Sequence, residues 1–78
     1  MRIKLEDFKT GWYGLSIGLK KADIEKLISM LSLLLEKKDQ HFHLVSADPQ
    51  QNSGVYDIEI YYDNDNSPDT MSISSVAK

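Results

Sequence analysis

The sequence predicts an α+β fold of two layers, with one amphipathic helix packed on one face of a mainly antiparallel sheet of four to five strands. The expected order is β-β-α-β-β-β. Three observations predict it: a single segment carries a helical period, several short segments alternate apolar and polar residues, and two connections are rich in turn-forming residues. At 78 residues the chain is read as one domain, 1–78, because a chain this short builds only one thin core.

The elements follow in chain order. Ile3 and Leu5 alternate with Arg2, Lys4 and Glu6, which makes a first strand with one wet face. Thr10 and Gly11 turn the chain. Tyr13, Leu15, Ile17 and Leu19 then alternate with Gly14, Ser16 and Gly18, leaving one side of the second strand bare enough for close approach.

Ile24, Leu27, Ile28, Leu31, Leu34 and Leu35 recur at the spacing of one helix face, which predicts a helix over about residues 22–38. Asp23 and Glu25 in its first turn and Lys37 and Lys38 in its last match the macrodipole. Lys20 and Lys21 do not, and no Ser, Thr or Asn caps the start. On a helical wheel Met30 falls at the edge of the stripe and Leu33 on the far side, among Lys26, Ser29 and Lys37. If Met30, Leu33 and Leu34 are together uncovered, they form a patch for a partner or for a homodimer.

Three further strands are expected. Phe42 and Leu44 alternate with His41 and His43; Tyr56, Ile58, Ile60 and Tyr62 alternate with Asp57, Glu59 and Tyr61; Met71 and Ile73 alternate with Ser72 and Ser74. The connections at residues 47–54 and 63–69 are rich in Asp, Asn, Ser, Gly and Pro, so these strands should form a meander. The helix then covers the face with Phe42, Leu44, Ile58, Ile60, Met71 and Ile73. The opposite face, left open, carries His41, His43, Asp57, Glu59, Tyr61, Ser72 and Ser74.

Charge divides the chain. The net charge of −3 conceals a first half, residues 1–38, with eight bases and five acids, and a second half, residues 39–77, with seven acids and no Lys or Arg. Such a half repels phosphate backbones and anionic lipid, which argues against a nucleic-acid or membrane binder, and it steers a basic protein toward the domain. With no Cys, thiolate metal sites and a cysteine nucleophile are excluded and a reducing compartment is favoured, so a cytoplasmic location is expected. No stretch has the apolar length of a signal peptide or membrane span.

Two clusters carry chemistry by residue type. Across a hairpin closed around residues 47–54, His43 lies opposite Asp57 or Glu59, and His41 opposite Glu59 or Tyr61. Imidazole nitrogens and carboxylate oxygens suit a divalent transition metal, so His41, His43, Asp57 and Glu59 are a candidate metal set. The same residue types also make ordinary cross-strand hydrogen bonds and ion pairs. The run from Asp63 to Asp69 superficially echoes a calcium loop, but Pro68 and Ser74 stand where an EF-hand needs Gly and Glu. It reads as a solvated turn. No nucleophile elbow or phosphate-cradling glycine loop is present. A thin core gives little scaffold behind an active site, so a non-enzymatic domain without a cofactor is expected. Trp12 and Tyr61 have the parity to stand outside the core as interface anchors.

The segments Leu5-Glu6-Asp7-Phe8, Gly11 to Leu19, Gln40-His41-Phe42-His43 and Val55 to Ile60 resemble those of a group of small uncharacterised bacterial proteins. In size and character the chain is similar to the immunity proteins of polymorphic toxin systems. That resemblance implies a stoichiometric inhibitor docking on a toxin. The expected function is a protein-binding module that meets a basic partner through Asp57, Glu59, Tyr61, Asp63 and Asp65, with Trp12 as a further anchor. The alternatives are a divalent-metal-binding domain and an oligomeric structural domain.

Overall fold

The computed structural model describes residues 1–73, and residues 74–78 lie outside the described part. The elements run β1 (Arg2–Asp7), β2 (Tyr13–Gly18), α1 (Lys21–Glu36), β3 (His41–Val45) and β4 (Asp57–Tyr61). The class is α+β, with antiparallel strands throughout.

The sheet departs from expectation. β1 pairs with β2, placing Leu5 opposite Leu15, and β3 pairs with β4, placing Leu44 opposite Ile58. The two hairpins share no ladder, so there are two two-stranded sheets in place of one sheet of four or five strands. A cleft of about 860 Å³ separates them, lined by Ile3 and Leu5 of β1, Leu19 and Leu27, and Leu44 and Ile58. Each hairpin pairs strands that are neighbours in their sheet through the connections at residues 8–12 and 46–56, whereas joining the two hairpins would require pairing of strands further apart in sequence.

The expected last strand is absent from Met71 to Ile73, and its Ser74 lies outside the described residues. Local hydrogen bonds compete there: Thr70 Oγ1 accepts from the Ser72 backbone N–H at 3.2 Å and donates to Ser72 Oγ at 3.0 Å. Met71 and Ile73 find no apolar surface, remaining 96% and 81% exposed.

The first connection is tight. The Phe8 N–H donates to the Trp12 carbonyl, and Lys9 and Gly11 both take positive φ, 57° and 92°. The Lys9 N–H donates to Asp7 Oδ1 at 2.8 Å, which holds the turn in place. The bare side of β2 is occupied from within the hairpin, since a Cβ on Gly14 would stand 2.9 Å from the Phe8 ring. Gly11 differs: nothing lies within 4 Å of a Cβ there, so only its backbone angle demands glycine.

α1 begins without a side-chain acceptor at Lys20. Asp23 supplies the missing anion from inside the first turn: its Oδ2 accepts the Lys20 backbone N–H at 3.0 Å and lies 3.1 Å from the α-amino group of Met1. Those two contacts, the backbone one foremost, hold the Asp23 carboxyl below the usual range. At the other end the helix stops at Glu36, so Lys37 and Lys38 stand just past the last turn rather than in it. The Lys37 N–H closes onto the Leu33 carbonyl at 2.8 Å, and the Lys38 ammonium sits 4.8 Å over the Tyr62 ring.

The core is small and lies along one edge of the expected stripe of α1. Among the described residues only Met30 and Leu34 are buried. Leu27, Leu33, Phe42, Leu44, Ile58, Ile60 and Tyr62 are half-buried. Four of the six residues of the expected stripe are thus uncovered, with Ile24, Ile28, Leu31 and Leu35 between 45% and 74% exposed. The patch that Met30, Leu33 and Leu34 would form if uncovered is not at the surface. The reason is the breadth of the apolar arc: from Leu33 through Met30, Leu34, Leu27, Leu31, Ile24 and Leu35 to Ile28 it spans about 220° at 100° per residue. The Met30 side of that arc is covered and the Ile28 side is not.

Two outcomes are expected. Gly11→Ala lowers stability by about 1 kcal/mol through backbone strain alone, read by chemical denaturation, with an unchanged hairpin in the NMR spectrum. Asp23 has a lowered pKa, so its contribution is complete above about pH 4, the ordinary carboxyl range, and fades as pH falls through the lowered value. Asp23→Asn therefore melts below the wild type at neutral pH, and the two melting temperatures converge as acidification protonates the Asp23 carboxyl.

Candidate functional site

The outer face of β3 and β4 has the composition expected from strand parity. The register sets His41 against Tyr61, His43 against Glu59 and Val45 against Asp57. Phe42, Leu44, Ile58 and Ile60 turn inward and are half-buried, whereas His41, His43, Asp57, Glu59 and Tyr61 are exposed. Period-two alternation decides this, because each residue facing the core sends both neighbours to the other side.

The polar residues on this face are not equivalent. Both oxygens of Asp57 approach Nδ1 of His43, at 2.8 and 3.0 Å. Asp57 reaches His43 diagonally, since its direct partner is Val45. An ionised carboxylate only accepts, so the proton of this hydrogen bond sits on Nδ1 and, in the neutral ring, the Nε2 lone pair is free. His41 stands edge-on to His43, with ring centroids 5.0 Å apart and an interplanar angle of 86°. One ligand atom from each of His41, His43 and Glu59 lies within 4.8 Å of the others. Asp57 falls outside that trio and serves instead as the group orienting His43. The four residues proposed together from sequence thus divide into three potential ligands and one positioning carboxylate.

The remaining candidates are placed differently. Asp63 and Asp65 follow β4, and both are engaged locally. Asp63 accepts the Asn64 N–H at 2.9 Å, and Asp65 accepts the Tyr62 hydroxyl at 2.9 Å. The Asn66 N–H donates to the Asn64 side-chain oxygen and the Ser67 N–H to the Asn64 carbonyl, both at 2.9 Å. This is the hydrogen bonding of a solvated turn. Trp12 is 76% exposed and Tyr61 is 59% exposed. Trp12 sits on the connection of the other hairpin, so it shares no sheet face with Asp57 and Glu59.

Two features had no signal in the sequence. The cleft between the hairpins exists only because the sheets stay apart, and a reading with one continuous sheet left no space for it. The connection from β3 to β4 is held by Gln51, whose Nε2 donates to the carbonyls of Ser53 at 2.8 Å and Val55 at 3.0 Å, while its Oε1 accepts the Ser46 hydroxyl. The Asp, Asn and Gly of that segment announced a turn; Gln51 as its organiser could be identified only from the folded loop.

No helix among the described residues is long and apolar enough to cross a membrane. No family model matches the chain, and no curated protein or solved structure matches it either.

Proposed function

We propose that the chain is a non-enzymatic protein-binding module that docks on a basic protein, as an immunity protein does on its toxin, through the outer face of β3 and β4 and the turn that follows. One observation carries this reading. Asp57, Glu59 and Tyr61 share an exposed sheet face, and Asp63 and Asp65 extend the negative surface in a half of the chain that has no Lys or Arg before residue 78. Carboxylates on a pre-formed sheet lose little conformational freedom on docking. Their field raises the rate of encounter with a cationic surface, such as a nuclease site that attracts phosphate. Tyr61 supplies an aromatic anchor among them.

The test is capture from native cell extract followed by binding kinetics. Wild-type protein retains a basic protein, and the double reversal Asp57→Lys with Glu59→Lys slows association by about tenfold or more, with the wild-type rate falling steeply as salt rises. Equal association rates for the two would sink the reading.

A second reading is favoured by the grouping of His41, His43 and Glu59 and by the hold of Asp57 on His43. Three N and O ligands match zinc or nickel, and a carboxylate on Nδ1 orients an imidazole for metal binding through Nε2. Zinc titration followed by NMR should move His41, His43 and Glu59 together at micromolar metal, and Asp57→Asn should weaken binding by about 10- to 100-fold. Scattered shifts appearing only at millimolar zinc would remove this reading.

A further inference from the structure

The folded chain leaves two apolar surfaces uncovered, and they are of complementary kinds. One is the stripe of α1 formed by Ile24, Ile28, Leu31 and Leu35, 45–74% exposed. The other is the apolar face of the β1–β2 hairpin, where Leu5 pairs with Leu15 and Ile17 pairs with Ile3. On that face Leu5, Leu15 and Ile17 are 46–68% exposed. Two-layer domains bury a helix stripe against the apolar face of a sheet. Here each chain holds one of each, and neither covers the other.

The size of the deficit is measurable. The chain exposes 7416 Å², against about 4,800 Å² for a compact monomer of 8.9 kDa. Its radius of gyration is 14.6 Å, against about 11.5 Å for a compact chain of this length. The run from Asp63 to Ile73, which is exposed throughout, the helix stripe and the hairpin face are all part of that exposed surface. The difference, about 2,600 Å² per chain, is the upper bound on what association can remove, and each partner of an obligate homodimer contributes about 1,000–2,500 Å².

We propose that the occupant is a second copy of this chain, related by a two-fold axis, with the Ile28 stripe of each α1 packed on the Leu5–Leu15 face of the other copy's hairpin. A two-fold axis makes every such contact twice, so one association event covers both surfaces on both chains. A foreign partner would have to bring a bare sheet face and a bare helix stripe at once. Charge sets which halves meet. The seven unopposed acids of residues 39–77 repel their own copy, whereas residues 1–38 carry eight bases and five acids that can pair across an interface. The acidic outer face of β3 and β4 therefore stays outside the dimer and free for a basic partner. The dimer does not depend on the proposed docking function, and its failure would leave that reading standing.

Sedimentation equilibrium of the full chain from about 1 to about 200 µM reads the assembly state, with the melting temperature followed over the same range because an obligate dimer melts higher when more concentrated. The expected result is a dimer with a concentration-dependent melting temperature. In a mixture of isotope-labelled and unlabelled chains, intermolecular NOEs should join the methyls of Leu15 and Ile17 to those of Ile28 and Leu31. Leu31→Glu, and separately Leu15→Lys from the opposing surface, should each weaken the dimer by about 100-fold. If either variant fails to fold, the mixed-label experiment on the wild type still decides. A monomer at about 200 µM with an invariant melting temperature overturns the proposal, as does a dimer whose intermolecular NOEs lie on β3 and β4.

Discussion

The breadth of the apolar arc on α1 governs the rest of the molecule. A helix that is apolar over about 220° cannot be satisfied by one sheet on one side, since a surface helix typically buries a stripe little more than 100° wide. The chain covers the side centred on Met30 and Leu34, the two residues buried among those described, and leaves the side centred on Ile28 in water. With its core so limited, each two-stranded hairpin lies near the lower bound of what is stable in water. The exposed stripe, the bare β1–β2 face and the cleft between the sheets all follow from this shortage of covering surface in a chain of 78 residues.

The two hairpins differ in what they present. β3 and β4 divide their residues cleanly, with apolar side chains inward and His, Asp, Glu and Tyr outward. β1 and β2 do not achieve that division: Ile3 is half-buried, while Leu5, Leu15 and Ile17 on the same side remain exposed. One hairpin thus presents a polar face backed by core, and the other leaves apolar side chains in water.

The outer face of β3 and β4 was legible because it depends on alternation alone. Placing Phe42 and Ile58 inward sends His41, His43, Asp57 and Glu59 outward in any register that pairs the strands. The division of labour among those residues was not legible. Whether His43 meets Asp57 or Glu59 depends on the register and on a diagonal reach across the hairpin, and the structure shows both relations, Glu59 opposite and Asp57 hydrogen-bonded. In the same way Asp63 and Asp65 read as acids of a loop, while their capture by a neighbouring N–H and by the Tyr62 hydroxyl depends on the folded turn.

Local physics therefore determined the element order up to β4, the strand parity, the position of the helix to within about two residues, and the separation of charge between the halves. Each rests on contacts between residues near in sequence: the 3.6-residue period, the two-residue period, and turn chemistry at Gly11 or Asp63. Tertiary structure decided the rest: which side of α1 is buried, whether the hairpins join, and whether Met71 and Ile73 find a strand to pair with. Those outcomes turn on small differences between competing non-local packings. Leu34 and Leu31 carry the same side chain on adjacent sides of one helix, and only the position of the neighbouring sheet makes one of them core and the other surface.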